Sequence, residues 1–412
     1  FIPFILGALT TLSFEPFNLT IINLVIFPIF FYLVIYINKK SRSVYRKKPY
    51  KKNLFIYGLL FGFGFYICGI SWITNSLTFD ENFKVLIPFA LILIPLFLSL
   101  FLALTILFVG PYLKFNFPSL FLFSASIAIC DYLRAKVLTG FPWNLWAYST
   151  TWISELLQVT NLIGLFSFNL LTVFVFTVPA IFFFKISIIK KVTISFLLVF
   201  FVFSLYVFGN YEINKNKKVL DSTTEKIFVK IVSPSFDLEY GLDAKDIEKR
   251  FKKIIRYSDP DQNRKTLFVW PEGVFSGYSY NEILNFKELI SNNFSKNHLI
   301  ILGTNTIEPS SGNLYNSMLI VDNDFKIIQS YNKRKLVPFG EFLPFENFLN
   351  NFGLKKITEG HGSFLQGRKN DNLIVDNLNI LPLICYEVIF TKLVQNSNIN
   401  TNLIVNISED GW

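Results

Sequence analysis

Three side chains in the last third of the sequence offer the functional groups of acyl-transfer chemistry: Glu272, Lys333 and Cys385. A thiol can act as a nucleophile, and a carboxylate can act as its general base. An ammonium group can stabilise the negative charge that develops on a carbonyl oxygen under attack. These residue types indicate a cysteine-dependent acyl-transfer enzyme, provided that the fold brings them together.

Cys385 directly follows the apolar run 380–384 and precedes Tyr386-Glu387. Where a buried strand ends in a turn, neighbouring backbone N–H groups can face a developing oxyanion. This position suits a nucleophile. A small buried cysteine without a chemical role is the alternative on this segment alone.

A free thiol has a pKa near 8.5, so this nucleophile needs a nearby cation or a base. The chain has two histidines, His298 and His361, and neither stands in a convincing setting. Glu272 follows Val269-Trp270-Pro271 at the end of another apolar run and is the candidate base, although it could instead cap the next helix. Lys333 could supply the positive charge, or could belong to a solvated basic cluster with its two basic neighbours.

The first half of the chain has the composition of a membrane domain. Of 412 residues, 52% are hydrophobic and 17% are charged, against about 25% charged in average soluble domains. A span needs about 20 apolar residues. We predict seven transmembrane helices within residues 1–211, from five long uncharged runs and two shorter ones: 16–38, 53–74, 85–113, 156–184 and 192–211, with 1–14 and 115–130.

Basic residues predict the orientation of these helices. Eight lie between Lys39 and Lys52, and others lie at Lys114 and between Lys185 and Lys191. Cytoplasmic loops carry such residues, and alternation along the seven helices places all three basic loops on one side. Asp131 is expected in a loop on the other side, and everything after residue 211 outside the cytoplasm.

Residues 212–225 are predicted to be a polar linker, and 226–412 a catalytic domain. Charged residues dominate one helical stretch near 244–257. Strands that alternate with helices and loops predict a layered α/β domain. The predicted strands are 227–232, 266–270, 299–302, 318–321, 380–384 and 403–407.

Three motifs resemble the signature of the nitrilase superfamily: 270–272, 333–341 and 385–387. They stand in that family's order and cover roughly 226–412. The resemblance implies an α-β-β-α sandwich with a Glu–Lys–Cys triad, in which Glu272 is the general base, Lys333 stabilises the oxyanion and Cys385 is the nucleophile. Lys335 falls where relatives often have His.

The preceding helices, with the outer loop 138–143, resemble the apolipoprotein N-acyltransferase family. That family has eight transmembrane helices, the last after the catalytic domain. The chain begins with Phe1 and stops at Trp412, so we expect it to be truncated at both ends and to lack the final helix.

The resemblance also implies supporting residues. Glu341 and Glu387 correspond to supporting acids, and the backbone N–H of Tyr386 would help to hold the oxyanion. Tyr240 takes the place of a substrate-loop Trp. The apolar run that contains Phe345 and Phe348 is predicted to dip into lipid, with an ordinary core helix as the alternative.

The function implied is transfer of a fatty acyl chain from phosphatidylethanolamine, through a cysteine thioester, to the N-terminal amine of a diacylglyceryl apolipoprotein. No metal, organic cofactor or nucleic acid is implied. The enzyme would lie in the bacterial inner membrane with a periplasmic catalytic domain. A membrane-tethered amidase or nitrilase is the alternative. A transporter is disfavoured because the long spans contain no charged residues.

Overall fold

The computed structural model describes residues 1–43, 49–78, 81–222, 227–237, 239, 241–344, 363–368, 371–395 and 400–409. The chain divides into two units, Phe1–Thr223 and Thr224–Trp412. Tyr240, Phe345 and Phe348 lie outside the described residues.

The first unit is helical. Its long helices coincide with runs of apolar residues, as expected of membrane segments, because only an α-helix satisfies every backbone polar group within a single spanning segment. The helices are α1 (Ile2–Thr10), α2 (Asn23–Ser43), α3 (Tyr50–Gly69), α4 (Ile87–Val109), α5 (Phe117–Arg134), α6 (Ser154–Leu157), α7 (Thr160–Ile163), α8 (Leu165–Thr177) and α9 (Ile188–Ser222).

Among the described residues, six helical segments are long and apolar enough to cross a membrane. A seventh apolar segment, Ile2–Ser13, is shorter. The total of seven membrane crossings therefore stays a prediction. The six segments are Thr20–Arg42, Tyr50–Gly69, Phe83–Tyr112, Phe117–Arg134, Leu165–Phe183 and Ile188–Ser222.

Two predicted boundaries differ from the structure. The run 156–184 does not form one helix, because Gly164 has φ of +77° and separates α7 from α8. The predicted linker from residue 212 continues α9 as helix to Ser222. Lys, Asn and Glu are compatible with helix where no packing is required, so the change from apolar to polar composition did not mark the end of this helix.

The placement of Asp131 in an outer loop was wrong. Asp131 lies inside α5 and is buried, since Oδ1 accepts a hydrogen bond from Nη2 of Arg134 at 3.1 Å and Oδ2 accepts one from Asn169 at 2.8 Å. Nη1 of Arg134 also donates to the carbonyls of Phe141 and Trp143, at 2.6 and 2.7 Å. This buried pair connects α5 to the loop that follows it.

The described residues of the second unit form two sheets. The larger has the order β1-β2-β3-β4-β5, with the first three strands parallel and the rest antiparallel; the smaller has the order β6-β7-β8, with β7 parallel to β8. The strands are β1 (Phe228–Ile231), β2 (Thr266–Val269), β3 (His298–Ile307), β4 (Leu314–Val321), β5 (Ile327–Asn332), β6 (Leu373–Val375), β7 (Leu378–Ile384) and β8 (Leu403–Ile407).

Alternating side chains give the larger sheet two apolar faces. Phe268 and Ile300 face one helical layer, where they pack with Phe251. Leu267 and Ile301 face the smaller sheet. The helices of this unit are α10 (Ala244–Ser258), α11 (Tyr280–Ile283), α12 (Lys287–Ser291) and α13 (Thr391–Gln395).

The smaller sheet is covered on its other side. Leu383 of β7 is buried against Phe390 and against Leu393 of α13. The layers therefore run helix, sheet, sheet, helix, which confirms the predicted α-β-β-α sandwich. Side chains of both sheets form the core between them. The ends of several of these strands lie at one edge of the sandwich.

Candidate active site

Glu272 lies just beyond the end of β2, at the edge where the two sheets meet. Its backbone N–H donates to the carbonyl of Ser408, just beyond β8, at 3.1 Å. Gly303 of β3 lies so close that a Cβ atom there would be 2.8 Å from Cα of Glu272. The Glu272 side chain is 13% exposed, and its backbone is held by contacts with both sheets.

Lys333 directly follows β5, and its side chain is 1% exposed. Nζ lies 2.8 Å from Oε1 of Glu341 and 3.3 Å from Oε1 of Glu272. Burial opposes the positive charge of Lys333, but the two carboxylates outweigh this effect and raise its pKa. The ammonium therefore stays charged, and it is not part of a solvated basic cluster.

The neighbouring lysine has a different environment. Nζ of Lys335 lies 4.9 Å from the ring centroid of Phe390, and its backbone N–H donates to Glu387. The choice of Lys333 over Lys335 as the lysine of the site agrees with this arrangement.

Cys385 follows β7 and begins the 3-10 turn Cys385–Ile389. Its φ is +51°, a left-handed conformation that non-glycine residues rarely adopt. Such outliers cluster at functional sites, where the surrounding structure holds them in place. The turn ends β7 at the position of the thiol, which packs against the core between the two sheets.

Burial raises the pKa of the Cys385 thiol to about 11, and the negative charge of Glu272 acts in the same direction. The charge of Lys333 and a hydrogen bond with the Ser408 side chain lower it, but do not compensate. The resting thiol is therefore protonated at neutral pH. Its nucleophilic form must be generated during attack by a base, and the arrangement provides a carboxylate for that step.

Glu341 supports the site from the segment after β5. Oε1 accepts from Lys333, and Oε2 accepts from the backbone N–H of Val337 at 2.8 Å. The carbonyl of Glu341 accepts a hydrogen bond from the backbone N–H of Phe364 at 2.9 Å. Its carboxylate is thus held in place from two directions.

Glu387 is fully buried and connects two strand ends. Its carboxylate accepts hydrogen bonds from the hydroxyl of Tyr331 and from the backbone N–H groups of Arg334, Lys335 and Ile384, at 2.7–3.0 Å. Burial raises the pKa of Glu387, while the three backbone donors and the Tyr331 hydroxyl oppose the shift. The end of β5 is thereby fixed to the end of β7.

The structure also gives the setting of Tyr386. Its ring packs edge-on against Phe390 with centroids 4.9 Å apart, and burial raises the pKa of its hydroxyl. The role of its backbone N–H as an oxyanion donor stays a prediction.

Sequence reasoning missed two residues of this site, Asn316 and Ser408. Asn316 donates to both Glu272 and Glu341, yet it precedes the predicted strand 318–321, whereas β4 begins at Leu314. Ser408 directly follows the predicted strand 403–407, so the criterion that selected Glu272 and Cys385 could have found it.

The arrangement has the groups that acyl transfer requires: a thiol, an accessible carboxylate that can take its proton, and a buried ammonium. Glu272, Lys333 and Cys385 lie at strand ends on one edge of the sandwich, close enough for the charges of Glu272 and Lys333 to act on the Cys385 thiol. Their individual roles remain predictions.

Two family models match this chain. Residues 6–178 match the apolipoprotein N-acyltransferase N-terminal domain, and residues 238–412 match carbon-nitrogen hydrolase. The first match covers most of the helical unit, and the second covers the catalytic unit from the segment after β1 onward, including Glu272, Lys333 and Cys385.

Curated relatives resemble the chain along nearly its whole length. An apolipoprotein N-acyltransferase from Rhodopseudomonas palustris is 29% identical over 98% of this chain and 77% of its own length. One from Brucella melitensis is 28% identical over 99% of this chain and 77% of its own. One from Bradyrhizobium diazoefficiens is 29% identical over 98% and 76%.

Proposed function

This chain belongs to the apolipoprotein N-acyltransferase family, and we propose that it transfers a fatty acyl chain from a phospholipid to the N-terminal amine of a lipoprotein. The observation that carries the proposal is the buried Lys333 between two carboxylates beside Cys385. That site occurs in a chain that also has six membrane-capable helices within its described residues.

In the first half-reaction, Glu272 accepts the proton of Cys385 as the sulfur attacks an ester carbonyl of the donor. The carbonyl oxygen becomes an anion, which Lys333 and the backbone N–H of Tyr386 stabilise. Each good donor of this kind contributes roughly 3–4 kcal/mol. When the intermediate collapses, the C–O bond breaks, Glu272 returns the proton to the alkoxide, and a lysophospholipid leaves a thioester on Cys385.

In the second half-reaction, the α-amine of a diacylglyceryl-cysteine attacks the thioester. Glu272 accepts a proton from the nitrogen, the C–S bond breaks, and the thiolate of Cys385 takes that proton back. The product is an amide, and the enzyme returns to its starting state. We propose phosphatidylethanolamine as the donor, acylated at sn-1.

We further propose that the enzyme lies in a bacterial inner membrane with its catalytic domain in the periplasm. Basic residues in the loops around Lys39–Lys52, at Lys114 and at Lys185–Lys191 support this orientation, because such loops remain cytoplasmic. Lipoproteins and phospholipid headgroups are both accessible on the periplasmic side.

The match of residues 238–412 to carbon-nitrogen hydrolase favours one alternative. In that case the same residues would release the acyl group to water, and the substrate would be a small nitrogenous compound. The two functions differ in the acceptor of the acyl-enzyme.

Phospholipid with a labelled sn-1 chain separates the two functions. We expect a label on Cys385 that survives unfolding, is removed by hydroxylamine and passes to a diacylglyceryl lipopeptide. Mass spectrometry locates the label, and Cys385→Ala is the control. Labelling that persists in Cys385→Ala, or release of the chain as free fatty acid even when the lipopeptide is present, would contradict the proposal.

A further inference from the structure

We propose that Asn316 is a positioning residue of this active site, which holds Glu272 and Glu341 on one shared amide and thereby keeps Glu272 oriented as the base. The role of Glu272 as a base rests on the proposed function. The hydrogen bonds around Asn316 are observed in the structure and do not depend on that function.

A single nitrogen atom makes both contacts. Nδ2 of Asn316 lies 2.7 Å from Oε1 of Glu272 and 2.7 Å from Oε1 of Glu341. A primary amide has two N–H bonds, and each can serve one carboxylate. Because both partners are acceptors, the nitrogen rather than the oxygen of the amide must face them.

These same two oxygen atoms are also the partners of Lys333. The four groups therefore form a closed ring in which two donors alternate with two acceptors. The backbone carbonyl of Asn316 also accepts the N–H of Lys333 at 2.8 Å. Asn316 thus fixes the main chain of the lysine and both of its carboxylate partners.

The charges explain why a neutral donor suits this position. Glu272 and Glu341 are 13% and 12% exposed, so little water is available to solvate them. Without Asn316, two like charges would compete for one ammonium group. A buried acceptor that loses its donor costs about 1–3 kcal/mol, and the carboxylates can recover part of this only by moving. Movement of Glu272 would take the base out of reach of the thiol.

The strand order makes the position of Asn316 specific. β4 runs antiparallel to β5, so the start of β4 lies beside the end of β5, with Ser317 paired to Asn332. Asn316 precedes Ser317 in β4, and its side chain contacts Glu272, which lies just beyond the end of β2. A residue that acts through Glu272 should change the rate of acylation rather than the binding of an acyl donor.

The test uses Asn316→Asp and Asn316→Leu in the full membrane-embedded chain. Asp has nearly the volume of Asn, Leu has the same branching with bulkier methyl groups, and both lack the N–H groups of the amide. The new carboxyl of Asn316→Asp, once protonated, donates one hydrogen bond again, whereas Asn316→Leu cannot. Asn379→Asp is the matched control, because it adds the same charge in β7, six residues or ~20 Å from the thiol along the strand.

Acylation of Cys385 is followed with two donors, a labelled phospholipid and a water-soluble p-nitrophenyl ester. At pH 7.5 we expect both Asn316 variants to acylate at least about tenfold more slowly, part of the ~10²–10⁴-fold that a positioned general base contributes. KM for the ester should be unchanged. Relative to the unsubstituted enzyme, Asn316→Asp should recover as the pH falls to 5.5, whereas Asn316→Leu should not.

Equal acylation rates in the variants and the unsubstituted enzyme, or one common pH profile for both variants, would overturn the inference. The common profile would indicate a purely structural role. If Asn316→Asp does not fold, Asn316→Leu alone tests the inference. A slower acylation by the ester with an unchanged KM supports it, and an unchanged rate contradicts it. Failure of the proposed function is distinguishable, since the unsubstituted enzyme would then react with the ester and not with the phospholipid.

Discussion

The ammonium group of Lys333 lies 2.8 Å from Oε1 of Glu341, and both side chains are largely buried. The distance from the same nitrogen to Glu272 is longer, 3.3 Å. Glu341 therefore provides the closer counter-ion. Glu272 is left less tightly paired, which is the condition for a carboxylate that must accept a proton from Cys385.

We predict that Glu341→Ala abolishes acylation of Cys385. With its closer partner gone, Lys333 should pair tightly with Glu272, and the base would no longer be available to the thiol. Loss of general-base catalysis lowers rates by about 10²–10⁴-fold. The measurement is the rate of thioester formation on Cys385 with labelled phospholipid.

Glu308→Gln is the control for this prediction, since Glu308 is a partly exposed acid of the same domain, outside the Lys333 cluster. It should acylate at the unsubstituted rate. Retention of more than about a tenth of the activity by Glu341→Ala would mean that Glu341 does not separate Lys333 from the base.

Glu272→Gln should change two properties of Cys385 in opposite directions. Acylation should be lost with the base. Alkylation by iodoacetamide at pH 8 should become faster, because the charge of Glu272 is, after burial, the main contribution that raises the thiol pKa to about 11. A lower pKa gives more thiolate at pH 8, and the thiolate is the species that reacts.

The pH dependence of alkylation checks the sign of this shift. In the unsubstituted enzyme the rate should keep rising from pH 7 to pH 10, because the thiol titrates near 11. The curve of Glu272→Gln should lie at lower pH. Peptide mapping separates Cys385 from Cys68 and Cys130. A thiol that is already ionised at pH 7 would refute the argument for a base-assisted nucleophile.

Most strands of the layered α/β domain could be predicted because each is a short apolar run bounded by polar residues, whereas the α-β-β-α arrangement was implied by the family resemblance. β5 was missed because polar residues interrupt it, including Gln329 and Ser330. β6 was missed because it has only three residues. Both are recognised in the structure by pairing with a neighbouring strand, a long-range property that composition does not contain.

Contacts between distant segments explain the other differences. Asn316 lies in the site because β4 pairs antiparallel with β5. No local sequence motif around Asn316 predicts this position. Asp131 was read as a loop residue because an ionised side chain is costly in a bilayer. The structure compensates it with Arg134 and Asn169, and Asn169 lies 38 residues away in the sequence.

Gly303→Ala is expected to impair catalysis without unfolding the domain. The new Cβ would lie 2.8 Å from Cα of Glu272, closer than such contacts allow, so the segment after β2 must shift away from β3. Overpacking of this kind costs roughly 1–3 kcal/mol. Acylation of Cys385 should fall while the catalytic domain remains folded in thermal unfolding experiments.

Gly340→Ala is the control for the steric argument. Its new Cβ would approach nothing more closely than 3.5 Å, at Val337, which is an ordinary contact. Equal losses of activity in Gly340→Ala and Gly303→Ala would show that a close approach to Glu272 is not the cause.

The buried ion pair of the helical unit should be more sensitive to the loss of one partner than to the loss of both. The side chains of Arg134 and Asp131 are 0% and 4% exposed. Arg134→Met leaves the charge of Asp131 without Arg134 as its counter-ion, although Asn169 still donates to it, and a buried pair broken in this way loses about 3–5 kcal/mol. Asp131→Asn combined with Arg134→Met removes the stranded charge and should unfold at a higher temperature than Arg134→Met alone, although the bonds to the carbonyls of Phe141 and Trp143 are lost in both. Thermal unfolding in detergent micelles measures which of the two variants unfolds at the higher temperature. If the double variant is the less stable of the two, Arg134 stabilises the unit mainly through those loop carbonyls, and the charge pairing contributes little.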